Sequence, residues 1–123
     1  MNITEALHDP ALGAVPVTVR RTCREPDGSG GSAVRSRTDT ELTACVHPVR
    51  EAAYLRSPET VLTRAVHVYT SYMLSAGTAP DPDGRFFTPD ELIIGGRVFR
   101  VTDVETYPCC VRATAEYERE DAA

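Results

Sequence analysis

The chain has 123 residues, 41% of them apolar, enough for one modest hydrophobic core and a single domain over 1–123. Eighteen acidic residues stand against 13 arginines and no lysine, for a net charge of -5. The overall field therefore repels a polyanion, which argues against a dedicated nucleic-acid binder carrying a basic stripe.

Residues 1–12 form an N-terminal arm, with Ile3, Ala6 and Leu7 at helical spacing and Pro10 closing the turn. The arm lacks the basic region and apolar core of a signal peptide. No apolar run approaches the ~18 residues of a membrane helix, so a soluble protein made in a cytosol is expected. In a reducing compartment Cys23, Cys45, Cys109 and Cys110 stay thiols.

Val15, Val17 and Val19 alternate with polar residues, a half-buried strand running to about Cys23. Residues 24–37 are Gly- and Ser-rich and read as a flexible loop bordered by Arg24, Arg35 and Arg37. Alternation resumes from Glu41 to His47 and stops at Pro48, after which Val49 to Leu55 predicts about two helical turns. Val61 to Leu74 is ambiguous. Val61, Ala65, Tyr69 and Met73 keep helical spacing, whereas the many β-branched and aromatic residues favour a strand.

Residues 76–89 hold Gly77, Pro80, Pro82, Gly84 and Pro89, a second long loop that Phe86 and Phe87 tuck onto the body. Leu92, Ile93 and Ile94 then run into Gly95 and Gly96, which accept the positive φ of a two-residue type I′ turn. A hairpin follows, with strands at about 91–94 and 97–105, a further strand at 109–118 and a frayed acidic tail at 118–123. The expected fold is all-β: a small antiparallel β-barrel of about six strands, with one or two short helices and two long loops.

Chemistry-bearing constellations are sparse. Cys45 and His47 invite a zinc reading with Cys109 and Cys110, but adjacent cysteines in a strand point to opposite faces, so at most one joins such a site. His8, His47 and His67 have no nucleophile elbow or phosphate loop beside them, and no enzyme is expected. Asp81-Pro82-Asp83-Gly84 opens like a calcium loop yet lacks its later ligands, which makes it a turn. No cofactor or metal is called for. Asp90, Glu91, Asp103 and Glu105 form a solvated acidic face or meet arginines of a neighbouring copy. Arg24, Arg35 and Arg37 border a loop whose functional alternative is ordering on assembly.

The order of these segments resembles the head-tail connector proteins of long-tailed bacteriophages, the small β-barrel stopper or head-closure family. Pro16-Val-Thr-Val-Arg-Arg21, Thr43-Ala-Cys-Val-His-Pro48 with Ser57-Pro58-Glu59, Ala65-Val-His-Val-Tyr69-Thr70 and Asp90 through Val101, Val104 and Tyr107 carry the resemblance over most of 12–117. The loop at 24–34 lacks an aromatic expected in relatives, and the double cysteine is foreign to the pattern.

The resemblance implies a strand at 64–73 and a ring of six or twelve copies in the virion neck. That ring would sit between the portal or adaptor and the tail terminator or tail tube, close the filled head and touch packaged DNA transiently, with no membrane partner. It implies contacts between subunits or rings through Arg97, Arg100, Asp103 and Glu105. Segments 24–37 and 48–60, with Arg24, Arg35, Arg37 and Arg50, are the candidates to face a neighbour or the channel. Two alternatives remain: a tail terminator or other tail-ring protein, and a small-barrel module binding single strands or peptides, with Tyr54, Tyr69, Phe99 and Tyr107 as its aromatic platform.

Overall fold

A computed structural model describes residues 14–48 and 65–121. The N-terminal arm, the helix expected at 49–55, Arg50 and the first part of the 61–74 segment lie outside the described residues. Seven strands follow in order: β1 (Ala14–Pro26), β2 (Ser32–Pro48), β3 (Ala65–Thr70), β4 (Phe86–Phe87), β5 (Glu91–Ile94), β6 (Arg97–Thr106) and β7 (Val111–Glu120). All pairings are antiparallel, and β2-β3-β7-β6-β5-β1 returns to β2, so six strands close a ring of hydrogen bonds. The all-β, barrel-like expectation holds. Closure also leaves few free edges along these strands.

Alternation builds the interior. Val17 and Val19 of β1, Val66 and Val68 of β3, Leu92 of β5, Phe99 and Val101 of β6 and Ala113 and Ala115 of β7 form one buried cluster with Ala44 and Leu74. The Phe99 ring within this cluster meets Tyr117 edge-on at 5.9 Å. β3 settles 65–70 in favour of a strand, with Val66, Val68 and Thr70 buried and Ala65, His67 and Tyr69 half-buried, whereas 71–74, expected to be strand as far as 73, have left the sheet. The helical spacing was coincidental, since a period of two places every even residue inward.

The turn between β5 and β6 is as expected, with φ of 58° at Gly95 and 79° at Gly96. It sets the register Ile94↔Arg97 through Glu91↔Arg100.

Three expectations are corrected. The stretch 24–37 is mostly strand: β1 and β2 remain paired through Arg24↔Val34, Glu25↔Ala33 and Pro26↔Ser32, with an irregularity at Cys23/Arg24. Only 27–31 turns, because the Asp27 carboxylate accepts N–H bonds from Ser29 (2.8 Å) and Gly31 (3.2 Å) while Gly28 and Gly30 take positive φ. Backbone pairing there replaces the core contact that the composition lacks, so the two strands run on as an exposed ribbon.

The tail is also strand as far as Glu120, held by Arg97↔Glu120 and by the Asp121 N–H donating to the Gly96 carbonyl at 2.8 Å. The last strand starts at Val111 rather than 109. Pro108 and Cys109 instead occupy a turn that the Tyr107 N–H closes onto the Cys110 carbonyl at 2.8 Å.

The loop at 76–89 is laced at both ends. Asp81 Oδ1 accepts the N–H groups of Asp83 and Arg85, both at 2.9 Å, which bears out the turn reading. β4 adds a short pairing to β1 through Cys23↔Phe87 and Arg24↔Phe86.

Candidate functional site: an arginine groove beside the ribbon

Inward alternation of Val17, Val19, Phe99 and Val101 leaves Arg20, Arg24, Arg37 and Arg100 on the outer face of the sheet. Where the ribbon leaves the barrel, an open groove of about 360 Å³ lies under Thr88 and Pro89; its charged lining is Arg24, Arg37, Arg100, Arg119, Glu91 and Glu118.

Two of these arginines are committed. Arg24 donates from Nε to Ser32 Oγ and from Nη2 to the Ser32 carbonyl, each at 2.8 Å. Arg119 donates to Glu91 at 2.7 Å and also reaches Glu118 at 3.3 Å, and the Glu91 carboxylate holds its guanidinium above its ordinary pKa. Arg37 and Arg100 have no hydrogen bond or ion pair among the described residues, although both are outward-facing and exposed. Two free guanidiniums in one concavity can take a carboxylate or phosphate bidentately.

The sequence-derived contact residues thus divide. Arg24, Arg37 and Arg100 come together in the groove. Arg35 pairs with Glu25 on the ribbon at 3.7 Å, and Arg97 pairs with Glu120 at 3.7 Å. Asp103 is exposed beside the β6–β7 irregularity at Val101/Asp103. Glu105 accepts from Arg112 Nη2 at 2.6 Å and from the Tyr107 hydroxyl; the Tyr107 bond first, then Arg112, pulls its pKa down. Asp90, Glu91 and Glu105 are accordingly satisfied within the chain.

Glu91 and Arg119 were missed as groove members. Counting back from the Gly95-Gly96 turn would have placed Glu91 opposite Arg100.

Asp90 differs most from the solvated face expected for it. It is fully buried, and its carboxylate accepts Arg21 Nε at 3.0 Å, Arg21 Nη2 at 2.8 Å and the Ser75 N–H at 2.8 Å. Arg21 also donates to the Met73 carbonyl at 2.8 Å and lies 5.4 Å from the Tyr72 ring centre. These bonds clamp 71–75 against β1 and set one wall of a smaller hollow, about 200 Å³, where Met73 and Phe87 are exposed.

The other chemistry-bearing residues stay dispersed. His67 Nδ1 lies 3.1 Å from Thr114 Oγ1, and His47 meets Tyr69 edge-on at 5.8 Å. Among the described residues no three His, Cys, Asp or Glu side chains converge as a metal site. Of the aromatic platform, Phe99 is a core residue, 3% exposed, and does not join Tyr69 and Tyr107, while Tyr54 lies outside the described residues. Among the described residues no helix is long and apolar enough to cross a membrane. No protein-family model matches the chain, and a search of curated proteins finds no relative.

Proposed function

We propose that the chain is a structural virion protein that forms a homo-oligomeric ring in the neck of a long-tailed phage, between the portal or adaptor and the tail. In this reading the ring closes the filled head and offers the tail its platform, and the chain is not an enzyme. The observation that carries the reading is the pair of unpartnered guanidiniums, Arg37 and Arg100, in a groove beside an exposed two-stranded ribbon. A ring subunit needs a rigid body, a projecting element and a complementary recess for its neighbour, and such heterologous contacts close into rings. The sequence resemblance supplies the place in the virion.

Charge fits the same reading. A net charge of -5 makes contact with DNA weak, which suits a conduit through which the genome later slides. The test is to mix the purified protein with DNA-filled, tailless heads of the phage that carries the gene, and to image them. Ring density at the portal vertex supports the reading. Binding to isolated tail tubes but not to heads points to a tail terminator, and a single-strand gel shift at low salt points to a binding module.

A further inference from the structure

One long edge stays open where the ribbon leaves the barrel. β2 pairs with β1 from Ser32 to Cys45, but on its other side β3 joins it only from Cys45 to Pro48. Ala33 to Ala44 therefore has a strand neighbour on one side alone, and among the described residues no turn or loop backbone bonds to the free side. Every residue from Ala33 to Asp39 is exposed. Such an edge is a template for another strand unless charge, proline or a covering segment blocks it.

The charges on this edge complement themselves. In Arg35-Ser36-Arg37-Thr38-Asp39-Thr40-Glu41 the positive residues precede Thr38 and the negative ones follow it at the same distances. Opposed side chains of an antiparallel pair share a face, so a two-fold axis between two copies must pass through a residue position. With the axis at Thr38, Arg37 meets the second copy's Asp39, Arg35 meets its Glu41, Ser36 meets its Thr40 and Thr38 meets its own counterpart. An axis at Arg37 or Asp39 keeps one opposite-charge pairing and sets a like pair on the axis itself. Parallel pairing in register sets every charge against its like.

We propose that two copies of the chain pair edge to edge through β2, antiparallel about a two-fold axis at Thr38. Arg37 and Glu41 have no hydrogen bond or ion pair among the described residues. Asp39 accepts Arg20 Nε at 3.1 Å, yet its side chain is 47% exposed and keeps lone pairs for a second guanidinium. Arg35 is held only by a loose surface contact, 3.7 Å from Glu25. The pairing also extends an existing pattern. Asp39, Arg20, Glu91, Arg100 and Glu116 stand opposite one another in succession across β2, β1, β5, β6 and β7, alternating in sign at every step. The second copy's Arg37 continues that row across the edge, and pairing over 35–41 stops short of Cys45, where β3 takes the same edge.

This contact is two-fold, whereas a ring is built head to tail, so it does not rest on the neck-ring reading. Arg37 serves both contacts, and the dimer opens before the groove takes a neighbour.

Sedimentation velocity of the purified protein over a concentration series at low salt tests the pairing. A monomer–dimer equilibrium is expected, weakened by added salt. Arg37→Glu and Asp39→Arg should each shift it at least about tenfold toward monomer, because each sets like charges opposite one another across the axis. Mixed in equal amounts, the two variants should dimerise with each other, since each supplies the charge the other lacks. Circular dichroism checks their fold.

If Asp39→Arg does not fold, Thr38→Cys in a Cys109→Ser background reads the register instead. With oxidised glutathione it should give a disulfide-linked dimer, whereas Ser36→Cys, whose copies lie about 13 Å apart across the axis, should not. A chain that stays monomeric at its highest soluble concentration, a dimer that Arg37→Glu leaves intact, folded variants that fail to pair when mixed, or equal cross-linking of Thr38→Cys and Ser36→Cys would each overturn the proposal. Ring density on heads is read separately, so a failed dimer leaves the neck-ring reading standing.

Discussion

Replacing Asp90 by alanine tests how the long loop is tied to the barrel. The carboxylate is completely buried and accepts three hydrogen bonds, two from Arg21 and one from the Ser75 backbone. Its removal leaves a guanidinium and an N–H without their acceptor. Breaking a buried pair from one side costs about 3–5 kcal/mol, reduced here to about 2–4 because the Arg21 side chain is 30% exposed and water reaches it. With a urea slope of about 1.5 kcal/mol/M, the unfolding midpoint should fall by roughly 1–3 M.

Asp90→Asn keeps the volume and one acceptor, so it should lie between wild type and Asp90→Ala. A double-mutant cycle with Arg21→Met isolates the pair and should give a coupling of about 1–3 kcal/mol. The reasoning fails if Asp90→Ala shifts the midpoint by less than about 0.3 M, or if Arg21→Met costs as much without Asp90 as with it.

Other predictions address the ribbon, the hairpin and the groove. Gly84→Ala places a Cβ 2.6 Å from Pro26 Cγ at a φ of 81°, so it should destabilise the protein by about 1–3 kcal/mol in chemical denaturation. Gly95→Ala meets open space and only the φ of 58° opposes it; the expected loss by the same assay is about 1 kcal/mol. Arg37→Glu combined with Arg100→Glu should leave the monomer's melting curve within a few degrees of wild type while abolishing ring density on heads.

Glu105 should contribute to stability above the ordinary carboxylate range, near pH 4.3, because Tyr107 and Arg112 lower its folded pKa; that contribution disappears as pH falls through the lowered value. A pH series of melting curves should therefore show a smaller acid loss in Glu105→Gln than in wild type.

What the sequence revealed was local. Two glycines after an apolar run specified a type I′ hairpin and its register, and alternation marked Val15, Val17 and Val19 as one side of a half-buried strand, of which Val17 and Val19 are core. The ribbon was hidden because Gly and Ser at its tip dominate the composition of 24–37, while the pairing that makes Ser32 to Arg37 a strand comes from β1.

Arg21 and Asp90 are 69 residues apart, and no periodicity links them. The groove needed both register and closure: Arg37 sits opposite Thr22 across one pairing, Arg100 opposite Glu91 across another, and only the ring brings β2 and β6 to the same recess. Placing Cys109 and Cys110 in a strand was a two-residue error in its start. Pro108 carried the signal for the turn.

The most direct test of the neck-ring reading is a reconstruction of DNA-filled heads assembled with and without this protein. The account predicts a ring of six or twelve copies below the portal, with the Arg37–Arg100 groove of each subunit covered by its neighbour and the DNA retained only when the ring is present. Filled heads that keep their DNA and accept tails without the protein, or density confined to the tail tube, would contradict it.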